Sequence, residues 1–223
     1  MAGCTDCPSE QSDADLENPR VRVVLWIALL ANFAMFVVEI IASQLGDSMS
    51  LQADALDFFG DAANYAISLF VVGMALTARA KASIFKGATM ALFGTWVIGS
   101  ALYRAIVGSS PEPFTMGAIA MLALVVNVGV AALLFRFRNG DSNRQSIWLC
   151  SRNDAIGNIA VMVAAAGVFA SSSRWPDLLV AAIIAGLNIS AAIRVIRLAR
   201  DELQMARDEC ELHPGAPTQT GLS

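Results

Sequence analysis

The sequence predicts an all-α membrane protein of six transmembrane helices, with both termini in the cytoplasm. Three observations predict it. The chain is 56% hydrophobic, only 15% charged, and has a mean hydropathy of +0.58, too apolar for an ordinary water-soluble domain. Its apolar residues gather into six runs, near 22–43, 48–77, 86–107, 114–135, 146–170 and 176–197. Each run is about 20 residues or longer, enough to cross roughly 30 Å of hydrocarbon as a helix. The runs are too long for barrel strands and do not alternate polar with apolar. The third observation is that basic residues fall in alternate connections.

Taken in order, residues 1–19 are polar and expected to form a disordered cytoplasmic tail. Their acidic character and the length of the first apolar run argue against a cleavable signal peptide. Cys4 follows no apolar stretch, which argues against a lipoprotein, and Ala2 excludes N-myristoylation. Arg20 and Arg22 precede span 1, and Glu39 near its outer end is expected to reach the interface. Arg79, Lys81 and Lys86 lie between spans 2 and 3, and Arg136, Arg138 and Arg144 between spans 4 and 5. Arg194, Arg197, Arg200 and Arg207 lie at or after the end of span 6. The remaining connections contain only Arg174. By the positive-inside rule the basic connections and both termini are cytoplasmic.

Prolines agree with these boundaries. Pro111 and Pro113 share one connection, and Pro176 opens span 6, where a missing N–H is tolerated. Arg104, near the outer end of span 3, is expected to snorkel outward, and Arg152 inward. The glycines and alanines of spans 3 and 6 suit close helix packing. Residues 20–200 therefore read as one transmembrane domain, and 201–223 as a short cytoplasmic tail with no room for a folded soluble domain. A net charge of -4 gives no reason to expect nucleic acid as a partner.

Span 2 breaks the apolar pattern. Its stretch SLQADALDFFGDAANY carries Asp54, Asp57 and Asp61. Positions i, i+3, i+4 and i+7 share one helix face, so the three acids form a stripe that Asn64 continues. An acid at mid-bilayer costs about 2.5–3.5 kcal/mol on insertion scales, and such residues are functional by default. Asp54 lies nearer the outer boundary and suits a water-facing position better than Asp57 and Asp61.

A second polar insertion occurs in span 5, in CSRNDAIGNIAV. Cys150 and Asp154 are again one helical turn apart, and Asn158 follows one turn later. Span 2 runs inward, placing Asp61 roughly 20 Å from its outer end; span 5 runs outward, placing Asp154 roughly 12 Å from its inner end. In a core of roughly 30 Å these depths nearly coincide. Three carboxylates and a thiol could then meet as a four-coordinate site. Carboxylates at close range repel unless a cation lies between them. Oxygen ligands alone suit Mg, Ca or Mn, and an added thiolate biases toward Zn or Cd.

These segments resemble a known family. SLQADALDFFGDAANY is similar to the second-span signature of the cation diffusion facilitator family, with ligands four residues apart. CSRNDAIGNIAV resembles its fifth-span signature, usually a His-x-x-x-Asp, and NFAMFVVEIIASQLGDSMS resembles its first span and loop. The resemblance implies a metal site of Asp57, Asp61, Cys150 and Asp154, with Cys150 standing where the family usually has histidine. It also implies a short member without the family's C-terminal cytoplasmic domain. The histidine-rich loop found in some members is missing, and His213 in the tail is the only histidine.

The expected function is secondary active efflux of a divalent transition metal, zinc first and cadmium or cobalt next, in exchange for protons. The expected site of action is the inner, or plasma, membrane. No cofactor is expected beyond the transported ion; the partners are the metal, protons, the lipid bilayer and, compatibly with the sequence, a second copy in a homodimer. No phosphate-binding glycine loop indicates ATP drive. The rival readings are a manganese or ferrous iron transporter with Cys150 a bystander, an intramembrane aspartyl enzyme, and a non-transporting sensor. Cys4, Cys7, Cys210 and His213 in the tails could also capture a soft cation.

Overall fold

Apolar runs without internal proline fold as six helices in the computed structural model. They are α1 (Pro19–Leu45), α2 (Met49–Phe70), α3 (Leu76–Val107), α4 (Pro113–Phe135), α5 (Asn143–Ser171) and α6 (Trp175–Leu212). The structure describes residues 19–70, 76–135 and 143–212, among which there is no strand. Proline opens α1 and α4 and stands second in α6, where its fixed φ and absent N–H cost nothing. The expected tail residues Cys4, Cys7 and His213 lie outside the described residues, as does the side chain of Cys210.

Five of the helices are long and apolar enough to cross a membrane: the candidate spans are 22–45, 80–107, 113–134, 154–171 and 175–205. The protein is an integral membrane protein. The remaining helix, α2, is described over Met49–Phe70 and is not among these candidates. Its position explains how it tolerates acids. It packs against α1, α3, α4, α5 and α6, so its polar stripe faces protein. The outer helices instead turn Leu92, Trp96, Tyr103, Ile106, Phe114 and Leu179 outward, a surface that fits lipid and not water.

The connections at 46–48, 108–112 and 172–174 gather at one end of the bundle. There Arg104 pairs with Asp47, Ser110 N–H donates to Asp47 Oδ2 at 2.7 Å, and Arg174 donates to the Ala105 carbonyl at 3.1 Å. Arg104 therefore reaches this end as an ion-pair partner of Asp47. Glu112 accepts from the Thr115 and Phe114 N–H groups that open α4. The Thr115 hydroxyl, followed by those backbone donors, holds its carboxyl below the usual range.

Beneath these connections sits the main apolar core, including Leu51, Leu56, Val97, Met116, Val161 and Leu178. All six helices feed it from the segments nearest this end, so it closes the bundle there. Further along α2 the packing loosens: residues 63–69 are only half-buried. The described part of the molecule is thus sealed at one end and looser toward the other.

A buried acid anchors the start of α2. Asp177, near the start of α6, is fully enclosed. It accepts from Ser48 Oγ at 2.8 Å, Met49 N at 2.8 Å and Ser50 N at 2.9 Å. These are donors that a helix N-terminus leaves without an intrahelical partner. A carboxylate there also suits the helix dipole.

The α3–α6 contact rests on small residues. Ala80, Gly87, Gly94 and Ala101 recur every seven residues along α3 and are all buried. Any Cβ at Gly87 would lie 2.7 Å from Ile196 Cγ1, and one at Gly94 would lie 2.7 Å from Ile189 Cγ1. Both helices approach closely because these positions have no side chain, which is the packing expected of spans 3 and 6.

Candidate metal station

The acids of span 2 occupy successive turns of α2, and α5 crosses them. Asp61 lies within hydrogen-bonding reach of Asp154 on α5. Asp57 feels the charges of Asp54 and Asp61 and faces Asn188 of α6. Asp154 is buried, whereas Asp57 and Asp61 are only half-buried. They lie on the looser side of the apolar core.

Two of the four expected site residues thus meet directly, Asp61 and Asp154, and Asp57 stands beside Asp61. Among the described residues no three acids, histidines or cysteines converge closely enough to hold a metal ion. Cys150 belongs to α5 by its backbone, one turn before Asp154, but its side chain lies outside the described residues. The side chain of Arg152 does too.

Three surrounding side chains were not anticipated. Lys86 was counted with the loop between spans 2 and 3; instead it lies within α3, is buried, and donates from Nζ to Asn64 Oδ1. Its charge also reaches Asp61. Asn188 and Asn127, both buried, bring amides from α6 and α4. A polar residue in an otherwise apolar span is the signal that could have marked them.

Glu39 requires a correction. Expected at the outer interface, it is fully enclosed, and its carboxyl lies within hydrogen-bonding reach of Asp54. Asp54 is likewise buried and not water-facing. The reason is the apolar core, which covers this level of α1 and α2 from the connection end. Gly157 brings the α5 backbone close: a Cβ built there would lie 3.5 Å from Asp54 Oδ1 and 3.8 Å from Asp57 Oδ2. Larger side chains would push into the acids.

A membrane bundle enclosing paired acids from two crossing helices defines a class of ion-handling membrane proteins. Residues 25–204 match the cation efflux transmembrane domain, and the chain belongs to that family. Members of that family are transporters and not enzymes. The chain is also similar to "Metal tolerance protein 1" of Arabidopsis thaliana, with 29% identity over 145 residues. That alignment covers 59% of this chain and 36% of the relative, so the chain spans well under two thirds of the relative's length.

Proposed function

We propose that the protein exports a divalent transition-metal cation from the cytoplasm, zinc first, with cadmium or cobalt as secondary substrates. The substrate station consists of Asp57, Asp61 and Asp154, completed by Cys150. The observation that carries this reading is the approach of Asp61 to Asp154 across α2 and α5. Two carboxyl groups so placed repel when both are ionised, and a divalent cation between them removes the conflict. Cys150, one turn from Asp154 on the same helix, is the soft donor that tilts the set toward zinc.

Exchange against protons follows from the same chemistry. Metal and proton compete for the carboxylate oxygens, so acid on the release side discharges the metal. The bundle, sealed at its connection end and looser at the other, fits one of the two states of alternating access. Positive-inside charge assigns the sealed end to the outside of the plasma membrane and both termini to the cytoplasm. On this reading residues 20–200 are the working transport domain, flanked by short cytoplasmic tails, and a homodimer is the assembly to look for.

The test is metal uptake into liposomes holding the purified chain, with and without a pH gradient. Zinc uptake that rises when the lumen is acidic is the expected result. Uptake indifferent to the gradient would end the exchange reading. A second substrate reading, manganese or ferrous iron, has one observation in its favour: every donor described at the station is an oxygen. Competition by manganese stronger than by cadmium would select it.

A further inference from the structure

A second pair of carboxyl groups lies beside the station and is not used by it. Glu39 of α1 is 0% exposed and Asp54 of α2 is 1% exposed. Their carboxyl groups are within hydrogen-bonding reach of each other. Yet neither oxygen of Glu39 finds a hydrogen-bond donor among the described residues. An ionised carboxylate only accepts hydrogen bonds, so this contact becomes a bond only when one of the two groups carries a proton.

The neighbours show which group carries it. Asn158 of α5 is fully enclosed. With its amide turned to satisfy its surroundings, its nitrogen donates to both oxygens of Asp54, and its oxygen accepts from Asn127 Nδ2 at 2.9 Å and Leu124 N at 3.3 Å. Asp54 is therefore dressed as an acceptor, and Glu39 is left to be the donor. Asn127 to Asn158 to Asp54 is then a chain of donors ending where the Glu39 O–H adds one more.

Other charged groups around the pair do not relieve it. Asp57 adds negative charge to Glu39, and Asp61 adds to Asp57. From α5, Asp154 is engaged with Asp61; from α3, Lys86 turns to Asn64 and Asp61; from α6, Asn188 faces Asp57 and Asp177 caps α2. A metal ion fits this spot poorly. Asn158 presents N–H to it, leaving two carboxyl groups where a hard divalent cation takes about six oxygens.

We infer that Glu39 and Asp54 form a proton-binding site, with one proton shared between the two carboxyl groups, which empties when a divalent cation fills the neighbouring station. The Glu39 O–H bond breaks and the proton leaves to water on the side of Asp57, which is only half-buried. Both carboxylates are then anionic, and the arriving cation offsets their charge. The discharge, though not the shared proton, rests on the station proposed above.

Infrared difference spectroscopy on the full chain in liposomes tests both parts, with zinc chloride alone as the probe. A carboxylic-acid carbonyl band that is lost in Glu39→Gln and kept in Asp61→Asn is expected in the wild type. Asp54→Asn, a second variant in case the first misfolds, should shift or abolish the same band. Zinc should bleach it in the wild type, and Glu39→Gln should release one proton fewer per chain to a pH dye than the wild type does. A band unchanged in both variants overturns the site. A band that zinc leaves intact, while calorimetry shows zinc bound, overturns the discharge. Absence of zinc binding to the wild type would strike the station instead, and the band in Glu39→Gln would still decide the pair.

Discussion

At the scale of single residues, the acids of α2 and α5 do not contribute equally. Asp61 and Asp154 touch, so removing either charge deletes half of a cation clamp. Asp61→Asn and Asp154→Asn are each expected to abolish metal transport in proteoliposomes while leaving the protein folded in the membrane. Transport at the wild-type rate by Asp61→Asn would sink the station. Cys150 is tested through selectivity: Cys150→Ser should weaken cadmium most and manganese least, because a hydroxyl replaces sulfur poorly. Equal losses for both metals in competition assays would make Cys150 a packing residue. The sequence showed the station's acids plainly, because acids one helical turn apart within an apolar run are costly to bury and bring no packing in return. It did not show Glu39 as an interior residue. Its depth depends on α2 and α4, which pack against α1, and no local pattern on α1 reports that.

Elements meet through devices that are mostly invisible in one segment read alone. Asp177 caps α2 from a helix more than a hundred residues away in the chain (it accepts from Met49 and Ser50), adding to the local cap in which Ser48 Oγ accepts from Leu51 N–H. A buried donor left without an acceptor costs about 1–3 kcal/mol, and Asp177→Ala strands more than one. A clear fall in thermal unfolding temperature is expected, read by scanning fluorimetry in detergent, with Asp177→Asn falling less because its amide oxygen still accepts. No change in either variant would show that the cap contributes nothing. The small-residue seam of α3 makes a second test with an internal control. Gly94→Leu drives a side chain into Ile189, whereas Gly99 has nothing within 4 Å of a built Cβ. Overpacking costs about 1–3 kcal/mol. Gly94→Leu should therefore destabilise the protein and Gly99→Leu should not; equal behaviour would deny the close α3–α6 approach. This seam was legible in outline, as glycine and alanine enrichment of both spans. Which glycines touch depended on the rotation of one helix against the other.

For the whole molecule, hydropathy made the six helices readable, while the acids of α2 keep it out of the five candidate spans. The reason is that α2 lies inside the bundle and faces protein on most sides, so its sequence is not selected to match lipid. Its surroundings also give the bundle a direction. The apolar core joins all six helices near the connections at 46–48, 108–112 and 172–174, and the acids lie below it, beside half-buried residues of α2. If the positive-inside rule orients the chain, the sealed end faces out and the half-buried part of α2 faces the cytoplasm. Thiol labelling decides this in a variant whose native cysteines are replaced by alanine. A cysteine at Ser110, exposed in the α3–α4 connection, should react with a membrane-impermeant reagent in intact cells. One at Asn64, half-buried beside Lys86, should react only in everted vesicles. One at Ala53, fully enclosed in the core, should resist from both sides in this state. Labelling of position 110 only after everting the membrane would invert the orientation. Labelling of position 64 from outside, with 110 also external, would place the opening at the wrong end of the bundle and remove the seal from the transport cycle.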